Sequence, residues 1–445
     1  MAVKNFDKPF TFKGGIHPPY RKELASGKSI EVCPLANRVV IPLSQHVGAP
    51  AKVQVEKGQE VKAGQVIGQS DAFCFSPVHS SVNGTVKAVG PKLHTCGLQV
   101  EAIVIDVNKE DSSVQKLEPL SDDAKPEQII ARVKEAGLVG LGGAAFPTHI
   151  KINPPEGKSI ETVLINGCEC EPYITCDHRQ MLEQGDELIE GLKLIIKAVG
   201  AKEGFIAIET NKMNAIELLR EKTASMENIH VVAVKTKYPQ GAEKQLIDAI
   251  LRKRVPSGGL PVDVGCLVQN VGTTIAVRKA VKKGQPLIER VITVSGEGIK
   301  NPKNLLTRLG TPISHLIEVA GGIDGEHNKI IAGGPMTGIV QTSLDAPAIK
   351  GTSAITVLKY DSTKKVAAPE PCIKCARCVD GCPVGLLPLR IKAYAEKGLF
   401  DELEQLYASD CIECGCCTYV CPAKLPLVHW IRYSKQKLRE RGDGK

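Results

Sequence analysis

At 445 residues the chain is long enough for three or more compact domains, each with its own core. Its net charge of +8 is mild for this length and aromatic residues make up only 4%, so neither a nucleic-acid surface nor a base-stacking platform is indicated, and support for an acidic partner is weak. The 42% hydrophobic and 24% charged content suits a water-soluble globular chain, no apolar run approaches the roughly 18 residues of a membrane span, and Met1-Ala-Val-Lys-Asn-Phe-Asp7 lacks the apolar segment of a secretory signal.

Residues 1–37, with Lys13-Gly-Gly-Ile-His17-Pro-Pro, are rich in Lys, Gly and Pro and read as an extended arm. Over residues 38–110 the texture changes to short β-runs broken by glycines. Examples are Arg38-Val-Val-Ile-Pro-Leu43, Ala51-Lys-Val-Gln-Val55 and Val82-Asn-Gly-Thr-Val-Lys-Ala-Val89, with Asn83-Gly84 as a tight-turn signal. This stretch resembles the biotinyl/lipoyl-like barrel-sandwich fold, with residues 55–68 as one half and residues 76–89 as the other. Carrier members of that family bear a modifiable Lys on the hairpin between the halves. Here the hairpin is Ser70-Asp-Ala-Phe-Cys-Phe75, so a docking or structural role is implied and Cys74 reads as a structural thiol.

A polar linker at 108–125 leads into Pro126-Glu-Gln-Ile-Ile-Ala-Arg-Val-Lys-Glu-Ala136, whose apolar spacing is helical and which Gly137 stops. Strand and helix patterns then alternate, with Thr162-Val-Leu-Ile-Asn166, Phe205-Ile-Ala-Ile208 and Ile229-His-Val-Val-Ala-Val234 as the clearest strands. That alternation argues an α/β domain over 125–285 with a largely parallel sheet. Residues 286–345 read as a β-grasp (SLBB-like) module: a strand from Leu287 to Val294, a helix from Asn304 to Glu318, and a strand at Lys329-Ile-Ile-Ala332. The whole is a multidomain α/β protein ending in a cysteine-rich region at 366–430 and a basic tail at 431–445.

The first chemical feature is the loop Gly137-Leu-Val-Gly140-Leu-Gly142-Gly143-Ala144-Ala-Phe146-Pro-Thr148-His-Ile-Lys151. Close-set glycines let backbone N–H groups approach phosphates and flat rings. A helix precedes this loop where a Rossmann fingerprint requires a strand, and the Gly-Lys-Ser/Thr ending of a P-loop is missing. Specificity comes from Asn166-Gly-Cys-Glu169-Cys-Glu171-Pro172, just past a predicted strand, because carboxylates, an amide and backbone N–H groups at strand ends suit the ribityl hydroxyls of a flavin. Glu169 and Glu171 alternate, which lets both face one ligand or leaves both solvated. The irregular spacing of Cys168, Cys170 and Cys176 argues against a further metal site there.

The second feature is a repeated run: Cys372-x₂-Cys375-x₂-Cys378-x₃-Cys382-Pro383, then Cys411-x₂-Cys414-x₂-Cys417-x₃-Cys421-Pro422. In this spacing three thiolates hold one [4Fe–4S] cube and the fourth reaches the other cube. Cys372, Cys375, Cys378 and Cys421 therefore form one set, and Cys411, Cys414, Cys417 and Cys382 the other. Zinc ribbons pair their cysteines differently, and such clusters assemble in a reducing compartment, so the other eight of the 16 cysteines read as free thiols. Cys416 reads as a spectator. Helical patterns at Leu389-Arg-Ile-Lys-Ala-Tyr-Ala395 and Phe400-Asp-Glu-Leu-Glu-Gln-Leu-Tyr407 place the clusters among helices.

The glycine loop, the Asn-Gly-x-Glu-x-Glu-Pro turn, Tyr238-Pro-Gln-Gly241-Ala-Glu243-Lys and Val268-Gln-Asn270-Val-Gly272-Thr273-Thr resemble, in this order, the FMN- and NADH-binding subunit of respiratory complex I. With the arm, the barrel-sandwich stretch and the cysteine doublet added, nearly the whole chain resembles the C-subunit family of Rnf complexes, membrane-bound ferredoxin:NAD⁺ oxidoreductases. The resemblance implies FMN, two [4Fe–4S] clusters and NAD(H). It assigns Gly140, Gly142, Gly143, Ala144, Thr148 and Lys151 to the FMN phosphate and ring, Asn166, Glu169 and Glu171 to the ribityl chain, and Asn270, Gly272 and Thr273 to the phosphate end. It also places Tyr238 at the cofactor, Phe146 against NADH, and Glu243 near the flavin and nicotinamide. Partners implied are other Rnf subunits, including a ferredoxin-like electron-transfer subunit, with membrane attachment through them at the cytoplasmic face and coupling to Na⁺ or H⁺ transport. The complex I pattern has an Arg where Leu141 stands, a Gly at Ala145 and a Glu at Ala242, so its flavin potential does not transfer. A soluble flavin/iron–sulfur cobalamin reductase is the alternative enzyme, and a non-catalytic ferredoxin-like scaffold a third reading.

Overall fold

The computed structural model describes residues 8–325, 328–359 and 368–442. Residues 1–7, where no secretory signal is expected, and the last three residues of the basic tail lie outside them.

Four parallel strands form the central sheet, in the order Ile229–Val234, Glu203–Glu209, Thr162–Gly167, Cys266–Asn270. Their sequences are almost wholly apolar because both faces are covered, as parallel sheets require. One face packs on the helices Pro126–Glu135, Gly185–Val199 and Val271–Lys283 through Ile129, Leu188, Leu192 and Ile275. The other meets the helix Glu243–Leu251 through Leu246 and Ile250. Strand order reverses at Thr162–Gly167, so the crevice beyond its C-terminal end and that of Cys266–Asn270 is the place where such sheets bind ligands. Asn166 and Asn270 are register partners at that edge.

The barrel-sandwich stretch is two small antiparallel sheets around Ile41, Ile67, Phe75, Val78 and Ile103. Its hairpin tip projects, with Phe73 85% exposed. Asn83-Gly84 does not make the two-residue hairpin that its type suggests. The Asn83 side chain instead accepts from Ala63 N and donates to Asp111 O and Ser113 O, tying the polar linker down.

The module after residue 286 needs one correction. Asn304 to Glu318 is not a single helix: Lys303–Arg308 is a strand antiparallel to Glu289–Ser295, and the helix is only Ile313–Val319. Gly310, at φ 87°, turns the chain between them, and Pro312 caps the helix. The arm also does more than span. Ile30–Val32 pairs in parallel with Lys303–Arg308 and becomes the edge of a six-stranded sheet.

Upstream of that strand the arm runs along the other modules. Phe10 brackets Val234 through Phe10 N to Ala233 O (2.9 Å) and Lys235 N to Phe10 O (2.8 Å), and Ile16 exchanges two backbone bonds with Tyr238. Gly14 sits so close to the cysteine-rich region that a Cβ would lie 2.7 Å from Cys382 O, and its φ of 82° suits glycine alone.

Lys350 joins three modules. Its side chain is fully buried, and its ammonium donates to Pro77 O (2.7 Å) in the barrel-sandwich and to Gly137 O (2.8 Å) at the start of the glycine loop. Burial pulls its pKa from the usual 10.5 to about 7. The unfolded chain therefore keeps a proton that the folded chain has lost between those values. The contribution of this group to stability rises across that window and is lost as the pH falls through 7. Urea unfolding of the wild type should gain stability relative to Lys350→Met at about 1.4 kcal/mol per pH unit above neutrality. Parallel pH profiles for the two proteins would contradict this.

Candidate functional site

The glycine loop starts where the first helix of the α/β domain stops. Gly137, at φ 69°, ends that helix, and Gly140 N to Phe146 O (2.9 Å) closes the loop on itself. Gly142, Gly143 and Ala144 present exposed backbone at its tip. The base of the loop is pinned to the crevice: Leu141 N donates to Thr273 Oγ1 (2.8 Å), and a Cβ on Gly142 would meet that of Asn270 at 3.2 Å. Asn270 caps the helix Val271–Lys283 by accepting from Thr273 N, while its amide donates to Asp177 Oδ2 at 2.6 Å. Gly272 is equally confined, between Gln180 and Asn270.

Lys151 and Glu243 form an ion pair, so the end of the loop and the Tyr238–Lys244 turn meet. Asn166 donates to Gly241 O (2.7 Å) and accepts from Cys168 N (3.1 Å). Phe146 is half-buried. Buried polar atoms here that lack partners include the Thr148 hydroxyl, His149 Nδ1 and both ends of the Gln240 amide. Unpaired buried groups of this kind are unusual and mark a place for a ligand with polar atoms. Together with the bare loop backbone and the Lys151 cation they fit a phosphorylated flavin, whose phosphate and hydroxyls would take up these donors.

Glu169 and Glu171 do not face the same way. Glu169 has a left-handed backbone, φ 47°, which breaks the alternation read from the sequence. Its carboxylate turns inward, accepting from Asp177 N (2.6 Å) and His178 N (3.3 Å) at the start of the helix Cys176–Glu183. Burial pushes it up to about 7, against the pull of Lys22. Glu171 turns outward to the loop of the six-stranded module, accepting from Met336 N (3.1 Å) and from Thr337 through its N–H (2.8 Å) and hydroxyl. Burial raises its pKa, with those donors opposing. Glu171, Gly142 and Gly143 line a cavity of about 570 Å³ whose other walls are Gly333–Gly334 and, from the barrel-sandwich, His46 and Thr95. That volume suits a small-molecule ligand.

Beneath this turn lies a set of buried charges of which sequence reasoning singled out only Glu169. Lys22, Lys212 and Arg290 face Glu169, Asp177 and Glu209. Each cation comes from a different part of the chain, and none carries a periodic signal. Glu169, Cys176 and Asp177 approach one another closely, but hydrogen bonds to Asp177 N, His178 N and Asn270 already occupy the carboxylates.

The cysteine-rich region is two copies of one turn. In the first, Lys374 and Ala376 are left-handed and the short helix Arg377–Asp380 follows; in the second, Glu413 and Gly415 take those roles before Cys416–Tyr419. Cys372, Cys375, Cys378 and Cys421 line one cavity of about 250 Å³, three from the first run and one from the second. Cys411, Cys414, Cys417 and Cys382 form the mutually interacting second group. Backbone N–H groups of Lys374, Leu386 and Glu413 point at Cys372, Cys382 and Cys411 sulfur at 3.3 to 3.4 Å, an arrangement that stabilises thiolates. The two groups of four thiols fit two cubes with exchanged fourth ligands.

The groups differ in setting. Cys372 and Cys375 are exposed, and Ile373 between them is 69% exposed. The Cys414 end faces inward: Tyr238 donates to Cys414 O (2.9 Å), and Ile16, Tyr238, Cys416, Cys170 and Met336 pack as one apolar cluster. Cys416 contacts Tyr238 O and also stands in hydrogen-bond contact with the neighbouring Cys414 thiol.

Models of four protein families match the chain: "Nuo51 FMN-binding domain" over residues 133–279, "RnfC Barrel sandwich hybrid domain" over 10–110, "SLBB domain" over 291–340 and "4Fe-4S dicluster domain" over 371–425. The C subunit of the proton-translocating ferredoxin:NAD(+) oxidoreductase complex of Clostridium ljungdahlii is 43% identical over 97% of this chain and 95% of its own length. The Na(+)-translocating counterpart of Acetobacterium woodii is 44% identical over 96% of this chain and 97% of its own. The C subunit of the ion-translocating oxidoreductase complex of Rhodobacter capsulatus is 40% identical over 97% of this chain and 84% of its own. Among solved structures, an air-oxidized NAD+-reducing [NiFe]-hydrogenase shares the fold at a TM-score of 0.51 and 21% identity, covering 71% of this chain and 62% of that one.

Substitution distinguishes ligand from spectator. Cys417→Ser should lower iron content from about eight atoms per chain to about four, whereas Cys416→Ser should leave it unchanged. Equal iron loss in both, measured on anaerobically purified protein, would contradict the assignment.

Proposed function

As the chain belongs to the C-subunit family of ion-translocating ferredoxin:NAD(+) oxidoreductase complexes, we propose that it passes electrons between NAD(H) and one-electron carriers as a peripheral subunit of such a complex. No helix among the described residues is long and apolar enough to cross a membrane. In this reading attachment falls to partner subunits of the complex, at the cytoplasmic face of a prokaryotic membrane, where NADH is available. Those partners couple the electron flow to Na⁺ or H⁺ transport.

A bound flavin exchanges two electrons as a hydride with a nicotinamide and single electrons with an iron–sulfur cube, which is why both cofactors occur on one chain. The residues supply the rest. Gly142, Gly143 and Ala144 would offer backbone N–H groups, with Gly140 closing the loop beneath them, and Thr148, Asn166, Asn270, Gly272 and Thr273 the polar rim of the crevice, with Lys151 balancing phosphate charge. Glu243 holds the Lys151 ammonium in place. Phe146 at the loop edge would stack against the dinucleotide, and Glu171 in the cavity wall would accept from the ribityl hydroxyls of the flavin.

The single observation that carries this reading is the junction of cavity and cysteines. Glu171 binds the Met336–Thr337 loop, Met336 packs with Tyr238, and Tyr238 bonds Cys414 O. The cavity wall and the inner thiol group are thus linked through Met336 and Tyr238, while the outer group opens to solvent. Electrons would enter at the crevice, cross the Cys411 group and leave at the exposed Cys372 group, or run the reverse way. The full-length match to the Rnf C-subunit family, with the barrel-sandwich ahead of the flavin domain, sets the cobalamin reductase reading aside.

Anaerobic NADH should bleach the flavin absorption band and generate reduced-cluster EPR signals in the purified protein. A flavin band indifferent to NADH would sink the reading. Phe146→Ala should raise the KM for NADH by about tenfold, the loss expected when an aromatic stacking partner is removed.

A further inference from the structure

The arm lysine Lys22 is one of the few lysines held away from solvent, and no step described above uses it. Its Nζ donates to Glu171 O at 3.0 Å and to Ile174 O at 2.5 Å, and stands 4.0 Å from Glu169 Oε2. The chain from Glu169 to Ile174 contains two left-handed residues, Glu169 at φ 47° and Tyr173 at φ 69°. Such a backbone persists only where its surroundings over-determine it. The arm provides a second tie beside the first, Tyr173 N to Tyr20 O at 2.8 Å. Lys212 holds the preceding carbonyl, Cys168 O, at 2.6 Å. Lys22 does not line the cavity. It touches the carbonyl of the residue whose carboxylate does.

We infer that Lys22 is a positioning residue for the proposed flavin and dinucleotide pocket: by binding the Glu171 and Ile174 carbonyls beside Glu169, it fixes the turn that aims Glu171 at the Met336–Thr337 loop. The inference rests on the reading of that pocket given above. It makes the N-terminal arm a working part of the site, although the arm lies far from it in sequence. Without the ammonium, two buried carbonyls lose their donor and Glu169 loses a facing cation. Asp177 then faces Glu169 with Lys212 as the cation left to oppose it. The turn relaxes, and Glu171 no longer meets both Met336 N and Thr337 N.

The test compares wild type, Lys22→Met, Lys22→Gln and Lys22→Arg as full-length chains with both clusters in place. FMN titrated into flavin-stripped protein reports affinity by fluorescence quenching, and NADH:ferricyanide turnover reports KM and kcat. Lys22→Met should weaken FMN binding and raise the KM for NADH, each by at least about tenfold, the scale of a lost charge-assisted hydrogen bond. Lys22→Gln, which keeps one donor, should fall between Lys22→Met and wild type, and Lys22→Arg should return to within about threefold of wild type. Iron content should not change. If Lys22→Met does not fold, Lys22→Gln decides. Wild-type FMN affinity and KM in a folded neutral variant would overturn the inference, as would a fall in kcat and iron content with KM unchanged. A wild-type chain that takes up no FMN overturns the functional reading itself, before any variant is compared.

Discussion

Buried backbone carbonyls and carboxylates must find donors, and the turn from Asn166 to Thr175 concentrates that demand at one place. Cys168 O takes Lys212; Glu171 O and Ile174 O take Lys22; the Glu169 carboxylate takes two N–H groups of the following helix; Glu171 takes the Met336–Thr337 loop. The donors come from the arm, the α/β domain and the six-stranded module. The turn is therefore where the modules are forced into register, and the crevice at the sheet edge inherits its shape from them. Arg290 extends the same logic to the glycine loop, donating to Leu141 O at 3.1 Å from a strand of the neighbouring module.

What could be read from the sequence was whatever one local pattern specifies. Cysteine spacing depends only on the geometry of a cube, so both thiol groups and the exchange of Cys382 and Cys421 were legible from the spacing alone. The buried parallel strands were legible because continuous apolar runs between helical stretches have few alternatives. Lys303–Arg308 was not, because Asn304-Leu-Leu-Thr-Arg-Leu carries no alternation strong enough to separate strand from helix over so short a span. The opposed directions of Glu169 and Glu171 were hidden for another reason: a single left-handed residue turns the chain, and glutamate does not advertise that conformation. Lys22 was hidden most completely. A lysine in a Lys-rich arm looks solvated until the fold closes over it.

The two cysteine groups show how one local fold can serve two ends. Both copies of the turn use left-handed residues to aim backbone N–H groups at sulfur, yet one copy opens to solvent and the other is walled by Tyr238, Ile16 and Met336. Exposure and hydrogen bonding to sulfur are among the levers that tune cluster potential. Identical ligands therefore need not give identical potentials, and the asymmetry comes from what each copy is docked against.

The approach of Gly14 to Cys382 has a consequence for how the molecule is made. The arm is made well before Cys382 and the other cluster ligands. No contact between Gly14, Gly15 and the cysteine-rich region can form until the chain through Gly381 and Cys382 exists. During translation the arm's upstream half waits without that partner while the sheet assembles beside it. Full seating of the arm therefore waits for the first cysteine run, whereas its bonds to Ala233, Lys235 and Tyr238 can form as soon as the sheet does.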